Sequence, residues 1–400
     1  MTDKLEKSGH PQGVSATIDR RGVLKGMGAI GAASVAASTF RINYARAQTR
    51  KLRALMWEPY LLPEVVKEFE AKHNVEFAPT FFDGNSEAYN KLRVGGTKDF
   101  DLVQADGFWP RLYFQEGLIR GVDYSKMPST ENFFPIFKPD RFDILVDKAS
   151  GTKFGVPFCW GSYGITYNAD GISPEKASSI ECLFDPEFAG RLSANARFEE
   201  NIALAGVLVT YRLGTRDKPR PDGKPFNPYV LTDEELAEVE KLLIEQKKLL
   251  LTRYQDNGTL FQLLASGAIV AAPEFAQVYR QLLAKVAEGE VTGDIRHTLI
   301  PKEGGLGWVD TFLVSSGVAD GDQFDLAQDF INTMISLDNM KVIGDRTGCS
   351  TTIDLRSVST PEQQKFFLMD RTEELADMFM FDQPSSPEKW ERVWSNMQAA

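Results

Sequence analysis

Short extended runs alternate with amphipathic helical runs along the chain from residue 51 onward. The run KLRALMW at 51–57 predicts a strand, and PEVVKEFEAKH at 63–73 predicts a helix. That helix places Val65, Val66 and Phe69 on one face and opens on a proline, which is favoured in the first helical turn. The alternation predicts an α/β fold with helices on both faces of largely parallel sheets.

The same alternation continues to the C-terminus. Residues 232–251 predict a long helix that is capped by Thr232 and has an acidic first turn. The segment 153–168 predicts two extended pieces hinged at Pro157 and Gly161. Further strands are predicted at 75–82, 99–106, 268–274, 295–301 and 308–316, and further helices at 86–92 with Ser86 as its cap, 111–119, 199–214, 258–267, 275–289, 323–337 and 338–346.

The predicted strands end in WEPY, ADGFW, CWGSYG, APEF and GWVD, and all of these except CWGSYG combine aromatic with acidic side chains. Ligands of α/β sheets bind in the crevice beyond the carboxyl ends of the strands. An aromatic face over a desolvated organic cation contributes about 1–2 kcal/mol, and a buried ammonium also requires a counter-charge. The pattern therefore predicts a site for a small cationic organic ligand, formed by Trp57, Tyr60, Asp106, Phe108, Glu274, Trp308 and Asp310, with Glu58 as a secondary candidate.

The length and the charge of the chain narrow the class of protein. About 350 residues follow the first 47, more than one hydrophobic core organises, so two domains are expected. Those residues carry 38 Lys and Arg against 53 Asp and Glu, a balance of −15. An acidic surface of this kind disfavours nucleic acid and anionic membranes as partners and attracts cations.

The first 47 residues are typical of an export signal. A twin arginine at Arg20 and Arg21 precedes a weakly apolar, Gly/Ala-rich run that ends in an A-x-A cleavage pattern at Ala47. The run is shorter than the roughly twenty apolar residues of a membrane span. It resembles a twin-arginine signal with Asp19 in place of the usual hydroxyl residue. We therefore expect export by the twin-arginine translocase and a periplasmic chain that starts near Gln48.

Signatures of common enzyme classes are missing from the sequence. Beyond the signal, H-E-x-x-H, G-x-S-x-G, G-x-G-x-x-G and Walker A patterns do not occur, and the histidines there are His73 and His297. No catalytic residue, metal ligand or cofactor is predicted. An exported hydrolase that uses paired carboxylates stays open as an alternative, because acids are plentiful.

The three cysteines do not form a disulfide framework. Cys159, Cys182 and Cys349 are odd in number and show no C-x-x-C spacing. We expect all three to be buried thiols that pack in the core.

Six segments, in order along the chain, carry a likeness to a known family. They are MWEPYLLPEVVKEFEAKHNVEF, DFDLVQADGFWPRLYFQEGLI, KFGVPFCWGSYGITYN, SIECLFDPEFAGRL, IPKEGGLGWVDTFLV and RTGCSTT. Through them the chain resembles the solute-binding proteins of ABC transporters, most closely the spermidine/putrescine-binding group. The first segment is similar to that group's first strand and helix, the third to its crossover strand, and the fifth to its ligand-binding strand.

The resemblance implies two α/β lobes of the type II-like periplasmic-binding-protein fold, which close around one solute in the cleft between them. Lobe 1 would comprise residues 48–160 and about 308–355, and lobe 2 about 161–307 and about 356–400. It also implies a monomer without enzymatic activity, which delivers a cationic amine such as putrescine or spermidine to an ABC permease and its ATPase. An amino acid or another zwitterion stays open as the solute.

Four residues match the polyamine site of that group directly. The resemblance implies that Trp57 and Tyr60 are aromatic walls of the site. Trp308 and Asp310 match a Trp-x-Asp pair in which the aspartate binds an amine.

Other positions depart from the group's pattern. Asp106 and Phe108 stand where the group has a hydroxyl residue and a tyrosine, so Asp106 adds a carboxylate. Glu199 and Glu200 lie beside the positions of two family acids but out of register, and Glu274 follows the position of a family tryptophan. The resemblance therefore implies an acidic site whose preferred amine is open, with Glu199 and Glu200 as secondary candidates.

Overall fold

The computed structural model describes residues 50–218, 220 and 223–400. The predicted export signal at 1–47 and its cleavage near Ala47 lie outside the described residues and stay predictions. The described residues form one compact unit. Among the residues that are described, no helix combines the length and the apolar character needed to cross a membrane.

One mixed sheet runs through the described part of the chain. Its main path follows the order β2-β1-β3-β10-β5-β8-β6-β7, and four short strands pair alongside it. The strands are β1 (Arg50–Met56), β2 (Val75–Phe81), β3 (Leu102–Asp106), β4 (Ile119–Arg120), β5 (Val156–Asn168), β6 (Leu192–Asn195), β7 (Leu250–Tyr254), β8 (Ala271–Phe275), β9 (Ile295–Thr298), β10 (Gly305–Ser315), β11 (Ser350–Thr351) and β12 (Met378–Met380).

The prediction of largely parallel sheets is wrong at the centre of this sheet. Strands β1, β2 and β3 are parallel to one another, and so are β6, β7 and β8. Between these two groups, β10 is antiparallel to both β3 and β5, and β5 is antiparallel to β8. Antiparallel neighbours need no helical crossover between them. The chain can therefore cross from the first parallel group to the second along β5 and return along the neighbouring strand β10.

Two long strands form the centre of the sheet, and β10 carries the predicted site residues Trp308 and Asp310. β5 has 13 residues and β10 has 11, and nearly all of them are buried. The predicted hinge at Pro157 and Gly161 is wrong, because both residues lie inside one continuous strand. A register shift between β5 and β10 occurs at Asp310 and Thr311, opposite the Pro157 region. Proline cannot donate to the ladder, which accommodates it with an irregularity.

Helices cover the sheet, and their local signals are mostly those expected. The side chain of Thr232 caps its helix and forms a capping box with Glu235, which confirms the predicted start. The predicted cap Ser86 is wrong, since that helix begins at Asn85 with Gly84 before it. The α-helices are α1 (Pro63–His73), α2 (Asn85–Arg93), α3 (Trp109–Gln115), α4 (Pro174–Ala177), α5 (Phe198–Arg212), α6 (Asp233–Leu249), α7 (Asn257–Ala265), α8 (Ala276–Ala287), α9 (Asp322–Met334), α10 (Leu337–Thr347), α11 (Pro361–Phe366) and α12 (Pro387–Ala399).

Short 3-10 turns connect many of these elements. The first of them follows β1 directly and carries the WEPY segment. They are Glu58–Tyr60, Gly96–Lys98, Tyr124–Lys126, Pro128–Asn132, Pro135–Phe137, Asp143–Leu145, Ile180–Phe184, Pro186–Phe188, Arg356–Val358 and Thr372–Asp377.

Buried apolar side chains form three clusters. The first gathers most of the buried side chains between 52 and 160 with those between 308 and 378. The second is drawn mainly from 163–271 and 390–397, and the third from 254–295. Phe275 packs against all three clusters, so this ring lies where they meet.

The close approach of β5 and β10 gives a first test. Gly161 pairs with Trp308, and a Cβ atom at Gly161 would lie 2.7 Å from Cζ2 of that indole. We expect Gly161→Ala to displace Trp308 and to lower the free energy of unfolding by about 1–3 kcal/mol. Urea unfolding measures the loss, and the indole fluorescence of the folded state should shift.

Gly344 provides the matched control. It lies in α10, and a Cβ atom there would have its nearest neighbours at 3.6 Å, an ordinary contact. Gly344→Ala should be neutral or stabilise the chain by about 0.5–1 kcal/mol, because alanine loses less backbone entropy in a helix. Equal destabilisation by the two substitutions would contradict the proposed packing of Trp308.

Candidate functional site

Tyr60 and Asp310, 250 residues apart in the chain, meet at the sheet. Tyr60 ends the 3-10 turn after β1, and its hydroxyl donates a hydrogen bond to Oδ2 of Asp310 in β10. Both side chains are buried. Burial raises the pKa of Asp310 well above its usual value, Asp106 raises it further, and the hydrogen bond from Tyr60 opposes the shift. The site therefore holds a carboxyl group that resists ionisation until a positive charge comes near.

Asp106 places a second carboxylate beside the first. It ends β3, directly opposite Asp310 on the neighbouring strand. Nδ2 of Asn85 donates to its Oδ1 at 2.6 Å, and the backbone N–H of Asp106 donates back to Oδ1 of Asn85 at 3.1 Å. Burial raises the pKa of Asp106 to about 7, against the hydrogen bond from Asn85 and with a contribution from Glu200.

The start of α5 brings two further acids towards the same region. Glu200 is buried, and its Oε1 lies 3.0 Å from Nε of Arg197. Its Oε2 has no hydrogen-bond partner among the described residues. Burial raises the pKa of Glu199 to about 7, with the charge of Glu200 as the next cause. Since Glu200 also raises the pKa of Asp106, acids from β3 and from α5 share one electrostatic environment.

Glu274 is the fifth carboxylate of this group. It is buried near the end of β8, where it accepts from the Tyr254 hydroxyl at 2.6 Å and from the backbone N–H of Phe275 at 2.8 Å. Burial raises its pKa, the two hydrogen bonds and Arg197 lower it, and Glu200 raises it. The structure therefore couples Glu274 to the acids of α5.

Phe275 is the centre of an aromatic cluster next to these acids. Its ring centroid lies 5.0 Å from that of Tyr163, 5.9 Å from Phe381 and 6.4 Å from Trp308. The guanidinium of Arg197 lies 5.3 Å from the same ring. Trp308 is buried, and its indole Nε1 has no hydrogen-bond partner among the residues described.

Trp57 joins the site through Tyr60. The two rings are perpendicular with centroids 6.4 Å apart, and Phe82 packs on the other part of Trp57 at 4.7 Å. The backbone N–H of Trp57 donates to Oε1 of Gln104 at 3.0 Å, which fixes the exit of β1. Trp57 is half-buried, so one part of its ring stays accessible.

Two predicted site residues are placed differently from the acid group. Phe108 lines a cavity of about 700 Å³ together with Phe226 and Phe379, and its ring lies 5.6 Å from the guanidinium of Arg111. Within the described residues, the lining of this cavity includes no other predicted site residue. Glu58 is exposed on the 3-10 turn.

Two of the predicted strand exits are not exits. Trp308 and Asp310 lie in the interior of β10, as the CWGSYG segment lies in the interior of β5. The regular ladder between Trp308 and Asp310 keeps both side chains on one face, because residues two apart on a strand point the same way.

Sequence reasoning missed four residues of this region. Phe275 is an aromatic residue beside the acid Glu274 at the end of a predicted strand, and that pattern could have identified it. Asn85 and Tyr254 carry no such signal, since each bonds to an acid in another segment of the chain. Arg197 lies three residues from Glu200, but its other partner, the Phe275 ring, is in a distant segment. Within the described residues, no group of three or more His, Cys, Asp or Glu is arranged to hold a metal ion.

The family comparison covers most of the chain. Residues 64–353 match the model of the family described as bacterial extracellular solute-binding protein. This match confirms the family resemblance that the sequence segments carry.

Two curated relatives match over three quarters of the chain. The putrescine-binding periplasmic protein PotF of Escherichia coli is 25% identical over 305 residues, which cover 75% of this chain and 77% of that protein. The spermidine/putrescine-binding periplasmic protein of Escherichia coli is 22% identical over 318 residues, with 76% and 79% covered.

A solved structure shares the fold. It is the spermidine/putrescine ABC transporter substrate-binding protein PotD from Streptococcus pneumoniae, with a TM-score of 0.65 and 22% identity over 88% of this chain and 98% of that one. The predicted α/β, two-lobed binding-protein fold is confirmed by this likeness.

The raised pKa values of Asp106 and Glu199 predict how stability depends on pH. In the folded chain both groups hold protons up to about pH 7, whereas their pKa values in the unfolded chain are those of ordinary carboxyls. The free energy of unfolding should therefore fall as pH rises from about 4 to about 7, by at most about 1.4 kcal/mol per pH unit for each group. Urea unfolding at a series of pH values measures this slope.

Asp106→Asn should flatten the slope, because the amide does not titrate. Glu64→Gln is the matched control, since Glu64 is exposed in the first turn of α1 and its loss should leave the slope unchanged. A slope that is the same in wild type and in Asp106→Asn would show that Asp106 does not hold a proton in the folded state.

Proposed function

Because the chain belongs to the bacterial extracellular solute-binding proteins, we propose that it is the exported binding component of an ABC importer. In this proposal it binds a small cationic organic amine outside the cytoplasm and delivers it to a membrane permease, which an ATPase drives. The observation that carries the proposal is a group of five carboxylates among aromatic rings, namely Asp106, Glu199, Glu200, Glu274 and Asp310. Asp106 raises the pKa of Asp310, and Glu200 raises the pKa values of Asp106, Glu199 and Glu274.

The hydrogen-bond partners of these acids support a cationic ligand. Tyr60, Asn85 and Tyr254 are neutral donors to Asp310, Asp106 and Glu274, whereas Glu200 pairs with a cation, Arg197. Neutral donors stabilise a buried carboxylate but do not cancel its charge. A ligand ammonium would supply the missing charge and would favour ionisation of the acids, because an opposite charge nearby lowers a carboxyl pKa.

The aromatic rings support an organic ligand over a bare metal ion. Trp57, Tyr60, Phe275 and Trp308 offer ring faces and edges around the acids. Rings cover the methylene groups of an amine and attract its charge, by about 1–2 kcal/mol for each desolvated contact. The Nε1 of Trp308 and the Oε2 of Glu200 are buried polar atoms that a ligand could also satisfy.

The relatives support the same class of solute. Two of them are named for putrescine or for spermidine and putrescine. We carry this class of amine over to the present chain. We expect the choice between putrescine and spermidine to depend on the acids of the proposed site, such as Asp106 and Glu200.

We further propose the two lobes that the sequence indicates, 48–160 with about 308–355 and about 161–307 with about 356–400. In that division Asp106 and Asp310 belong to one lobe, and Glu199, Glu200 and Glu274 belong to the other. Closure of the hinge would bring the two sets of acids to opposite sides of one solute. The contacts that the solute makes with both lobes would then stabilise the closed form.

Arg197 favours a second candidate, an amine that also carries a carboxylate. Its guanidinium lies over Phe275 and pairs with Glu200, and its side chain as a whole is 56% exposed. An ω-amino acid could place its ammonium on the Asp106–Asp310 side and its carboxylate on Arg197. A simple diamine would leave this guanidinium with Glu200 alone.

Binding measurements test the proposal. Isothermal titration and thermal shift with putrescine, spermidine, 4-aminobutyrate and succinate should show binding of amines and no response to succinate. Asp310→Asn and Trp308→Ala should each weaken the preferred amine by about 1–2 kcal/mol, or roughly tenfold, through loss of a charge-assisted hydrogen bond or of a ring face.

Glu64→Gln again serves as the control, because it removes one acid at an exposed position of α1 that is not among the predicted site residues. Its affinity should equal that of the wild type. Stabilisation by succinate alone, or unchanged amine affinity in both site variants, would defeat the proposal. Preference for 4-aminobutyrate would select the second candidate.

A further inference from the structure

Two of the three cysteines meet beside the Tyr60–Asp310 pair. Cys159 lies in β5, and Cys349 immediately precedes β11, which pairs with β5 at Trp160 and Cys159. The two sulfur atoms are 2.7 Å apart, and both side chains are fully buried free thiols. A disulfide bond requires about 2.05 Å between the sulfurs, so a small side-chain movement closes the gap.

The third cysteine is separated from this pair. Cys182 is buried in the second hydrophobic cluster, whereas Cys159 and Cys349 belong to the first. The fold therefore selects one of the three possible pairings, although the sequence separation of 190 residues gives no hint of it.

The surroundings of Cys349 favour its thiolate form. The hydroxyl of Thr347 donates to its sulfur at 3.0 Å. The buried guanidinium of Arg280 donates to the carbonyl of Gly348 at 2.6 Å and to Oγ of Ser350 at 3.0 Å, the residues on either side of Cys349. The third hydrogen bond of this guanidinium also goes to a neutral oxygen, the carbonyl of Phe366. A buried cation braced in this way stabilises a nearby anion.

The two thiols consequently differ in acidity. Burial would raise the pKa of Cys349, but the hydrogen bond with Cys159, the one from Thr347 and the charge of Arg280 outweigh it and lower that pKa. Burial raises the pKa of Cys159 well above its usual value, and the hydrogen bond with Cys349 raises it further. A thiol of lowered pKa in contact with a second thiol is the arrangement of redox-active cysteine pairs.

We propose that Cys159 and Cys349 form a disulfide in the exported protein and that this bond ties β5 to the segment before β11 next to Tyr60. Only the oxidising compartment, where such bonds persist, rests on the proposed function. The pairing itself rests on the position of the two sulfurs.

The bond would form by thiol–disulfide exchange with a small-molecule disulfide. The Cys349 thiolate attacks one sulfur of the oxidant and releases the first thiolate from it. The Cys159 sulfur, once deprotonated, then attacks Cys349 in the mixed disulfide and releases the second. The protein loses two protons and two electrons in total, and the oxidant is reduced to two thiols. Because both cysteines are buried, exchange takes place during folding or when the β11 segment opens.

Counting free thiols tests the pairing. The full chain is unfolded and refolded in a glutathione buffer that is either oxidising or fully reducing, and a maleimide then labels free thiols in denaturant. We expect one label in the oxidised wild type, on Cys182, and three labels in the reduced protein. Peptide mapping should recover a Cys159–Cys349 cross-link, and the intact mass should fall by two hydrogen atoms.

Serine variants provide the controls. After oxidising refolding, Cys182→Ser should take up no label, whereas Cys159→Ser and Cys349→Ser should each take up two. Three labels in the oxidised wild type, a stable glutathione adduct on the pair, or a cross-link that includes Cys182 would overturn the proposal. Mapping of wild-type chain isolated from the periplasm, with thiols blocked at lysis, is read in the same way and does not depend on how the variants fold.

The same samples separate this inference from the proposed function. Amine binding is measured on the oxidised and the reduced wild type. Loss of amine binding in both forms, with the cross-link present, would reject the amine proposal and leave the disulfide standing. Amine binding in a chain that never forms the cross-link would reject the disulfide and leave the amine proposal standing.

Discussion

Burial of several carboxylates in one region is the constraint on which the rest of this structure depends. Each of Asp106, Glu274 and Asp310 has a raised pKa whose largest cause is its removal from water. Neutral donors hold them in place, because a buried carboxylate without hydrogen bonds costs several kcal/mol. A positive charge placed among these acids would therefore be attracted more strongly than at an exposed acidic surface, because water weakens the attraction there.

The long central strands make this arrangement possible. β5 and β10 run antiparallel through the sheet and carry residues that contact β3 on one side and β8 on the other. Asp310 therefore faces Asp106, while Gly161 leaves room for the Trp308 indole, which reaches towards Phe275. Strand β5 also sets Cys159 beside Cys349 through its pairing with β11. The proposed ligand site and the proposed cross-link thus both depend on β5.

The local signals in the sequence located many elements correctly. The pattern of apolar residues fixed α1, and the Thr232 capping box fixed the start of α6, since both depend on side chains a few residues apart. Tyr60, Asp106, Glu274 and Asp310 were predicted as site residues because acids and aromatics stand together near strands. Asn85 and Tyr254 gave no such signal, because the acids to which they bond lie in other segments of the chain.

By itself, then, the sequence determined the family, the α/β class and the acidic, aromatic character of the site, because these follow from composition, periodicity and ordered local motifs. Only the tertiary structure decided that the central strands are antiparallel and unbroken, that Tyr60 bonds to Asp310, and that Phe108 lines a cavity with Phe226 and Phe379. It alone decided which cysteines meet. The physical reason is that the packing of the whole core selects which distant strands pair, and no short segment contains enough information to determine that pairing.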